Sequence, residues 1–328
     1  MTRRRTLALA AVATTLLLSG CLGGPAVDDA TDGNGSDGAA PNGSMDGDGS
    51  DGDATDGDGS ANASYDQTPH VGCQPGAVAK NGSCTVAVDE SNADIFSARN
   101  LSPITARNTT LGGTPGYLAR PEGNGSYPAV VMIHEWWGLN ANIRHMADVL
   151  AGHGYAVFAV DLYDGRVATN ASYAGQLAGE VRSNPDAAVR KMADATAALR
   201  SAPYTTRRVA SLGWCFGGGQ SLQLSLSSAE LNATVIYYGT LTTDRSTLER
   251  IDGPVLGIFG SEDDVVGIEN VRAFDDALGE LGVERDIRVY DGADHAFANP
   301  SGERFRPNDT RDAWNRTLAF LDEELRGE

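Results

Sequence analysis

From about residue 104 the chain alternates short apolar runs with segments whose apolar positions recur every three or four residues. Ala129-Val130-Val131-Met132-Ile133 has no polar position and reads as a buried strand. Ile143 to Gly154 follows as an amphipathic helix closed by glycine, Tyr155 to Val160 as a second strand and Asp186 to Arg200 as a second helix. Val209 to Gly213, Thr234 to Tyr238, Val255 to Phe259 and Ile287 to Tyr290 read as further strands, with helices over 217–229, 268–281 and 311–326. This alternation predicts an α/β domain over 104–328, a mainly parallel sheet with helices on both faces. Sheets of this kind bind ligands at the carboxyl ends of their strands.

The first hundred residues follow another pattern. Arg3, Arg4 and Arg5 precede an apolar stretch from Leu7 to Leu18, which suits the apolar part of an export signal and is too short to span a bilayer. It ends in Leu18-Ser19-Gly20-Cys21, similar to a lipobox, where cleavage before the cysteine leaves its thiol to carry a lipid. Arg4-Arg5-Thr6-Leu7 is similar to a twin-arginine export signal. A buried N-terminal helix would leave the arginines, the cysteine ending and the polar tract after it unexplained. Residues 22–66 hold eleven aspartates, no lysine or arginine, and almost no large apolar residue. Burial there cannot offset ordering entropy, so a disordered, self-repelling stalk is expected. The sequence thus predicts a signal peptide over 1–21, an acidic linker over 22–66, a cysteine-containing segment over 67–103 and the α/β domain. The whole is expected on the cell surface, lipid-anchored to the outer face of the cytoplasmic membrane.

Charge adds to this picture. The 328 residues carry a net charge of −19, which leaves no basic field for nucleic acid. The acidity extends beyond the linker, because residues 67–328 carry 33 acids against 22 bases. Lysine occurs only at Lys80 and Lys191, against 23 arginines. An acidic, lysine-poor surface stays hydrated where salt screens charge repulsion, and is read as adaptation to high salt. Eleven Asn-X-Ser/Thr sequons, where composition alone gives about two, agree with export and with surface positions for those asparagines.

Four cysteines divide into distinct roles. Beyond Cys21, Cys73 and Cys84 stand eleven apart in an exported chain and predict a small disulfide loop. A metal site there is disfavoured, since only His70 is near. Cys215 is left over, inside Gly213-Trp214-Cys215-Phe216-Gly217 between a strand and a helix. This is the G-x-nucleophile-x-G turn with cysteine at its centre, and a helix N-terminus beneath the sulfur favours thiolate. The plainer reading is a core cysteine before a glycine-rich helix. One histidine follows, His295, in the loop after the strand ending at Tyr290. Asp263, ahead of Asp264, is the carboxylate placed after strand 255–259 to orient its imidazole; either could instead cap a helix. His145 and His153 share a helix face without an acidic ligand set and read as structural or surface residues, while His134 is placed to shape the pocket. No metal and no cofactor are expected.

His134-Glu135-Trp136-Trp137-Gly138-Leu139-Asn140, Asp161-Leu162-Tyr163, Gly213 to Gly218, Gly260 to Asp263 and Asp294-His295-Ala296-Phe297 occur in an order that resembles the dienelactone hydrolase family over residues 104–327. The resemblance implies an α/β-hydrolase fold and a Cys215, Asp263, His295 triad acting on a small ester or lactone. It further implies that Glu135 contacts the resting thiol and helps activate it. The backbone N–H groups of Trp136 and Phe216 would form the oxyanion hole. Two features depart from the family. Of two arginines that hold a substrate carboxylate, one follows the Asp-Leu-Tyr motif, where Asp164-Gly165 here precede Arg166, and the place of the other is Asn299. Losing a bidentate clamp weakens the case for an anionic lactone, and Trp136, Trp137, Trp214 and Phe216 point to a more apolar pocket. Arg166 and Trp137 are the expected substrate contacts. A general carboxylesterase or thioesterase, and a non-catalytic surface-binding protein on a hydrolase scaffold, stand as alternatives, because fold does not set substrate.

Overall fold

The structure, a computed structural model, describes residues 78–80, 83–85, 96 and 101–327. The lipid site at Cys21, the linker 22–66 and the Cys73–Cys84 pair, including the Cys84 side chain, lie outside the described residues.

Ten strands form one sheet: β1 (Val78–Lys80), β2 (Ser83–Thr85), β3 (Ile104–Leu111), β4 (Thr114–Pro121), β5 (Tyr127–Ile133), β6 (Ala156–Val160), β7 (Thr205–Trp214), β8 (Ala233–Tyr237), β9 (Val255–Gly260) and β10 (Arg285–Tyr290). Their order is β1-β2-β3-β4-β6-β5-β7-β8-β9-β10. From β6 to β10 every pairing is parallel, and β1 to β4 add an antiparallel flank that joins at β4–β6. Seven helices connect them: α1 (Ala141–Gly152), α2 (Ala171–Ser183), α3 (Pro185–Ser201), α4 (Phe216–Ser225), α5 (Arg245–Leu248), α6 (Ile268–Glu280) and α7 (Pro307–Arg326). The central strands carry continuous apolar runs because both their faces are covered, and Val130 to Ile133 have no exposed surface. Strands β5, β7, β8 and β9 end side by side, so the loops that leave their carboxyl ends converge.

Local chemistry sets the boundaries. Helix α1 starts two residues before the apolar pattern suggests, because the Asn140 side chain caps it by accepting from the Ile143 N–H at 3.1 Å. Helix α4 stops at Ser225, short of 229; Ser225 Oγ donates to the Leu222 carbonyl and Ser227 Oγ to the Leu224 carbonyl, taking acceptors that a longer helix would use. The flank β3–β4 and helix α2 are additions to the predicted elements.

The described parts of the segment before residue 101 meet the domain at Phe96 and at the hairpin β1–β2. Phe96 is buried edge-on against Trp314 of α7, centroids 5.5 Å apart. Its carbonyl accepts from Trp314 Nε1 at 3.2 Å and lies 3.2 Å from His153 Nε2, at the end of α1. The hairpin β1–β2 meets β3 through the pair Cys84 and Ile104. Among the described residues no helix is long and apolar enough to cross a membrane.

Candidate active site

The turn from β7 into α4 is as tight as its glycines require. A Cβ on Gly213 would stand 2.1 Å from the Gly217 carbonyl oxygen, and one on Gly217 would stand 2.3 Å from the Ile133 oxygen. No side chain fits either place. At the apex Cys215 has φ +53° and ψ −117°, in the left-handed half of backbone space, at a cost on the order of 1–3 kcal/mol. Its N–H donates to the Tyr237 carbonyl at 3.0 Å, which ties the apex to the end of β8. The thiol is buried at the N-terminus of α4.

His295 and Asp263 meet beside it. His295 Nδ1 lies 2.9 Å from Asp263 Oδ2, and both side chains are buried. The other carboxylate oxygen, Oδ1, accepts from the Val265 and Val266 N–H groups at 2.8 and 3.0 Å. The carboxylate is therefore held by its own turn, and it fixes the proton of His295 on Nδ1, leaving Nε2 as the basic end. Asp264 is exposed, so of the two adjacent aspartates only Asp263 reaches the imidazole. The cap of α6 is Gly267, not either aspartate.

Glu135 follows β5 and is 4% exposed, an unusual place for a carboxylate. Its Oε2 accepts from Asn299 Nδ2 at 2.6 Å. The orientation of Asn299 is forced, because its Oδ1 takes the Ser301 N–H at 2.9 Å and Ser301 Oγ at 2.6 Å. A backbone N–H can only donate, so the amide nitrogen must face Glu135. The residue where the family carries an arginine is thus the one that positions the glutamate. His134 fixes the backbone of the same residue. The Leu162 N–H donates to His134 Nε2 at 3.2 Å, so Nδ1 carries the proton that goes to the Glu135 carbonyl at 2.6 Å. Burial holds His134 neutral, its pKa below the usual imidazole range.

The remaining expected residues have definite places. The Gly138 N–H donates to the Glu135 carbonyl, closing a turn that contains Trp136; Phe216 is the first residue of α4, where an N–H has no intrahelical acceptor. The rings of Trp136 and Trp137 are half-buried, 5.1 Å apart. Asp161 accepts from the Tyr163 and Gly165 N–H groups, and Tyr163 Oη donates to the Trp136 carbonyl, so the Asp-Leu-Tyr motif braces the tryptophan turn. Arg166 is exposed, with Nη2 2.8 Å from Glu180 of α2 and Nε donating to the Tyr163 carbonyl. It is not brought into the buried group around Cys215. Among the described residues no group of three or more His, Cys, Asp or Glu could hold a metal.

Two participants carry no motif. Asn299 is one, and the other is Tyr238, directly after β8. Tyr238 is 1% exposed at φ +34°, with its ring edge-on to His295 at 5.2 Å and to Phe297 at 5.7 Å. Its hydroxyl has no hydrogen-bond partner among the described residues. A small recess opens between Glu135, Trp214, Tyr238, Asn299 and the first turns of α1.

The model of the dienelactone hydrolase family matches residues 114–325. Protein usf of Aquifex pyrophilus is 34% identical over 220 residues, 64% of this chain and 93% of its own. A candidate carboxymethylenebutenolidase of Aquifex aeolicus (strain VF5) is 30% identical, covering 63% of this chain and 91% of that protein. Among solved structures, m3DLH superposes with a TM-score of 0.62 at 29% identity, over 68% of this chain and 99% of its own. With the glycine-bounded turn at Cys215, the buried carboxylates and the mainly parallel sheet in place, the chain belongs to the dienelactone hydrolase family, within the α/β-hydrolase superfamily.

Proposed function

We propose that this hydrolase, which acts on carboxylic ester or lactone bonds, does so through Cys215, His295 and Asp263 by way of a thioester. The observation that carries the reading is the buried His295–Asp263 contact of 2.9 Å beside a cysteine held at the apex of a strained turn. In the first half-reaction the Cys215 proton passes to His295 Nε2 and the sulfur attacks the carbonyl carbon. The resulting oxyanion is met by the Trp136 and Phe216 N–H groups, already fixed before the charge develops. When the tetrahedral species collapses, the C–O bond breaks, and the imidazolium returns its proton to the leaving alkoxide. Water then attacks the thioester with His295 as base, and releases the acid and the thiol. In a lactone the leaving alkoxide stays tethered to the acyl group, so the product is a single hydroxy acid. Glu135, poised by Asn299, assists thiol ionisation when substrate arrives.

The test compares the full chain with Cys215→Ala on an activated acetate ester and on a dienelactone. A fall in kcat/KM of about 10⁴-fold or more in the variant is expected. Equal rates for two folded proteins would remove Cys215 from the reaction. With Asn299 in place of an arginine and Arg166 bound to Glu180, the neutral ester is expected to be the better substrate of the two.

The N-terminal sequence supports a location as well. We infer that Cys21 receives a lipid after export, with 22–66 as spacer between the outer membrane surface and the hydrolase, in a cell adapted to high salt. Cys21→Ser is expected to move the protein from the membrane fraction to the soluble one; retention in the membrane would refute the anchor.

A further inference from the structure

The recess beside Cys215 contains one group for which neither the fold nor the proposed reaction has a use, the hydroxyl of Tyr238. Other tyrosines in the domain show what the protein normally does with such a group. Tyr117 donates to Asp148, Tyr155 to Asp322, Tyr290 to Asp312 and Tyr163 to the Trp136 carbonyl, while Tyr237 shares a hydrogen bond with Thr317. Tyr238, fully buried between these elements, has none among the described residues.

Its placement is also rigid. The residue is held at φ +34° at the end of β8, its N–H donating to the Ile258 carbonyl at 2.7 Å. Gly239 follows, and its α-carbon touches Gly218 and Gly219 of α4 so closely that a Cβ would meet Gly218 at 2.3 Å. Ring contacts to His295, Phe297 and Tyr237 fix the side chain from three directions. A strained backbone and an unmade hydrogen bond on one residue, at the wall of a recess, mark a group retained for a ligand rather than for folding.

We propose that the Tyr238 hydroxyl is a specificity-determining donor that recognises a neutral oxygen (ether, hydroxyl or carbonyl) in the acyl part of the substrate. This rests on the hydrolase reading and names the substrate class within it. The donor role follows from protonation: burial, then the neighbouring acidic groups Glu135, Cys215, Tyr237 and Asp263, hold the hydroxyl well above its usual pKa. The same neighbours disfavour a carboxylate as the acceptor, since two acids already face the site. Ile143, Met146, Trp214 and Ala298 give the recess an apolar wall, while the Glu135 carboxylate is already engaged by Asn299, so a short acyl chain carrying one oxygen for Tyr238 is the match proposed.

The experiment uses the full chain and Tyr238→Phe with pairs of p-nitrophenyl esters that differ by one atom. Methoxyacetate is set against butyrate and 3-methoxypropionate against valerate, so that an ether oxygen replaces a methylene at equal length. Each rate is divided by the spontaneous hydrolysis rate of the same ester. In the wild type the ether member of at least one pair should be favoured, and Tyr238→Phe should reduce that preference about tenfold in kcat/KM, with the all-carbon ester nearly unchanged. The unfolding midpoint of the variant should stay level or rise, because a buried hydroxyl without a partner has been removed.

Ether preferences equal in both proteins for both pairs would overturn the proposal. An equal loss on all four esters would also overturn it, by assigning the hydroxyl to the reaction itself. A drop of several degrees in the midpoint with unchanged preference would show a structural hydroxyl. Failure of the hydrolase reading is separate, since it would appear as Cys215→Ala retaining activity on every ester.

Discussion

Glu135 and Asp148 are both acids almost removed from water, and the two regions that hold them treat them differently. Asp148 lies on α1, where Tyr117 Oη of β4 donates to its Oδ1 at 2.9 Å and Arg144 covers the Tyr117 ring at 5.0 Å and reaches Asn108. Backbone angles there are ordinary, and the cluster supplies its own partners. Around Glu135, by contrast, Cys215, Tyr238 and Ala296 all sit at positive φ, and the Tyr238 hydroxyl has no hydrogen-bond partner among the described residues. The flank β3–β4–α1 uses polar groups to close the structure. The carboxyl edge of β5, β7 and β8 keeps strain and an unmade bond at one place, which is what a site prepared for a reacting molecule requires.

The contrast predicts that substitutions at the edge change rate, whereas substitutions at the flank change stability. Asp263→Asn should have the largest effect, a loss in kcat of about 10³-fold or more with a smaller fall in unfolding midpoint. Stopped assays beside thermal melts check both, and unchanged kcat would break the comparison. Phe96→Ala, at the junction of α1 and α7, should cost about 3 kcal/mol of unfolding free energy in denaturant titrations and leave kcat/KM alone.

Asp148 gives a pH test. Burial raises its pKa from 3.8 to about 7, against the opposing effects of the Tyr117 hydrogen bond and Arg144. The folded state therefore binds this proton more tightly than the unfolded chain. The stabilisation is complete below pH 3.8 and is lost as pH rises toward and through 7. Against Asp148→Asn, which still accepts from Tyr117, the wild type should lose about 3 kcal/mol at most between pH 5 and pH 8. A parallel pair of stability curves would refute it. The smallest effect is expected for Asn299→Ala, about tenfold in kcat with KM nearly unchanged, since Glu135 loses the bond that positions it. An unchanged kcat would make Asn299 merely structural.

The parts that could be read from the sequence are those where one interaction dominates. Val130 to Ile133 can only be an interior strand, and the Gly-x-Cys-x-Gly turn forces its own geometry. Strand β3 escaped notice because its Thr, Asn and Arg positions are half-covered or exposed, and β4 because Pro115 and Gly116 obscure its alternation. Helix α2 buries only Ala174, Leu177 and Ala178, too thin a stripe to stand out. At the site, Asp263 and His295 follow from chain order. Asn299 could be seen only as a missing arginine, because its bond spans 164 positions to Glu135. Tyr238 reads as the last residue of a strand; its significance lies in an angle and an absent partner, neither of which a one-dimensional pattern encodes.

The two oxygens of Asp263 have a consequence for how such chains diverge. A carboxylate is symmetric and an amide is not: asparagine could satisfy either the Val265 and Val266 N–H groups or the Nδ1–H of His295, and would turn a donor against the other. Only the turn and the imidazole together demand aspartate; the turn by itself would accept asparagine. A descendant that kept the histidine would therefore still be held to aspartate at this position even if it had given up hydrolysis, whereas one that lost the histidine could carry asparagine and keep the turn. An aspartate here in a relative thus speaks for a retained partner ring, and the residue at the apex of the β7–α4 turn must speak for the rest.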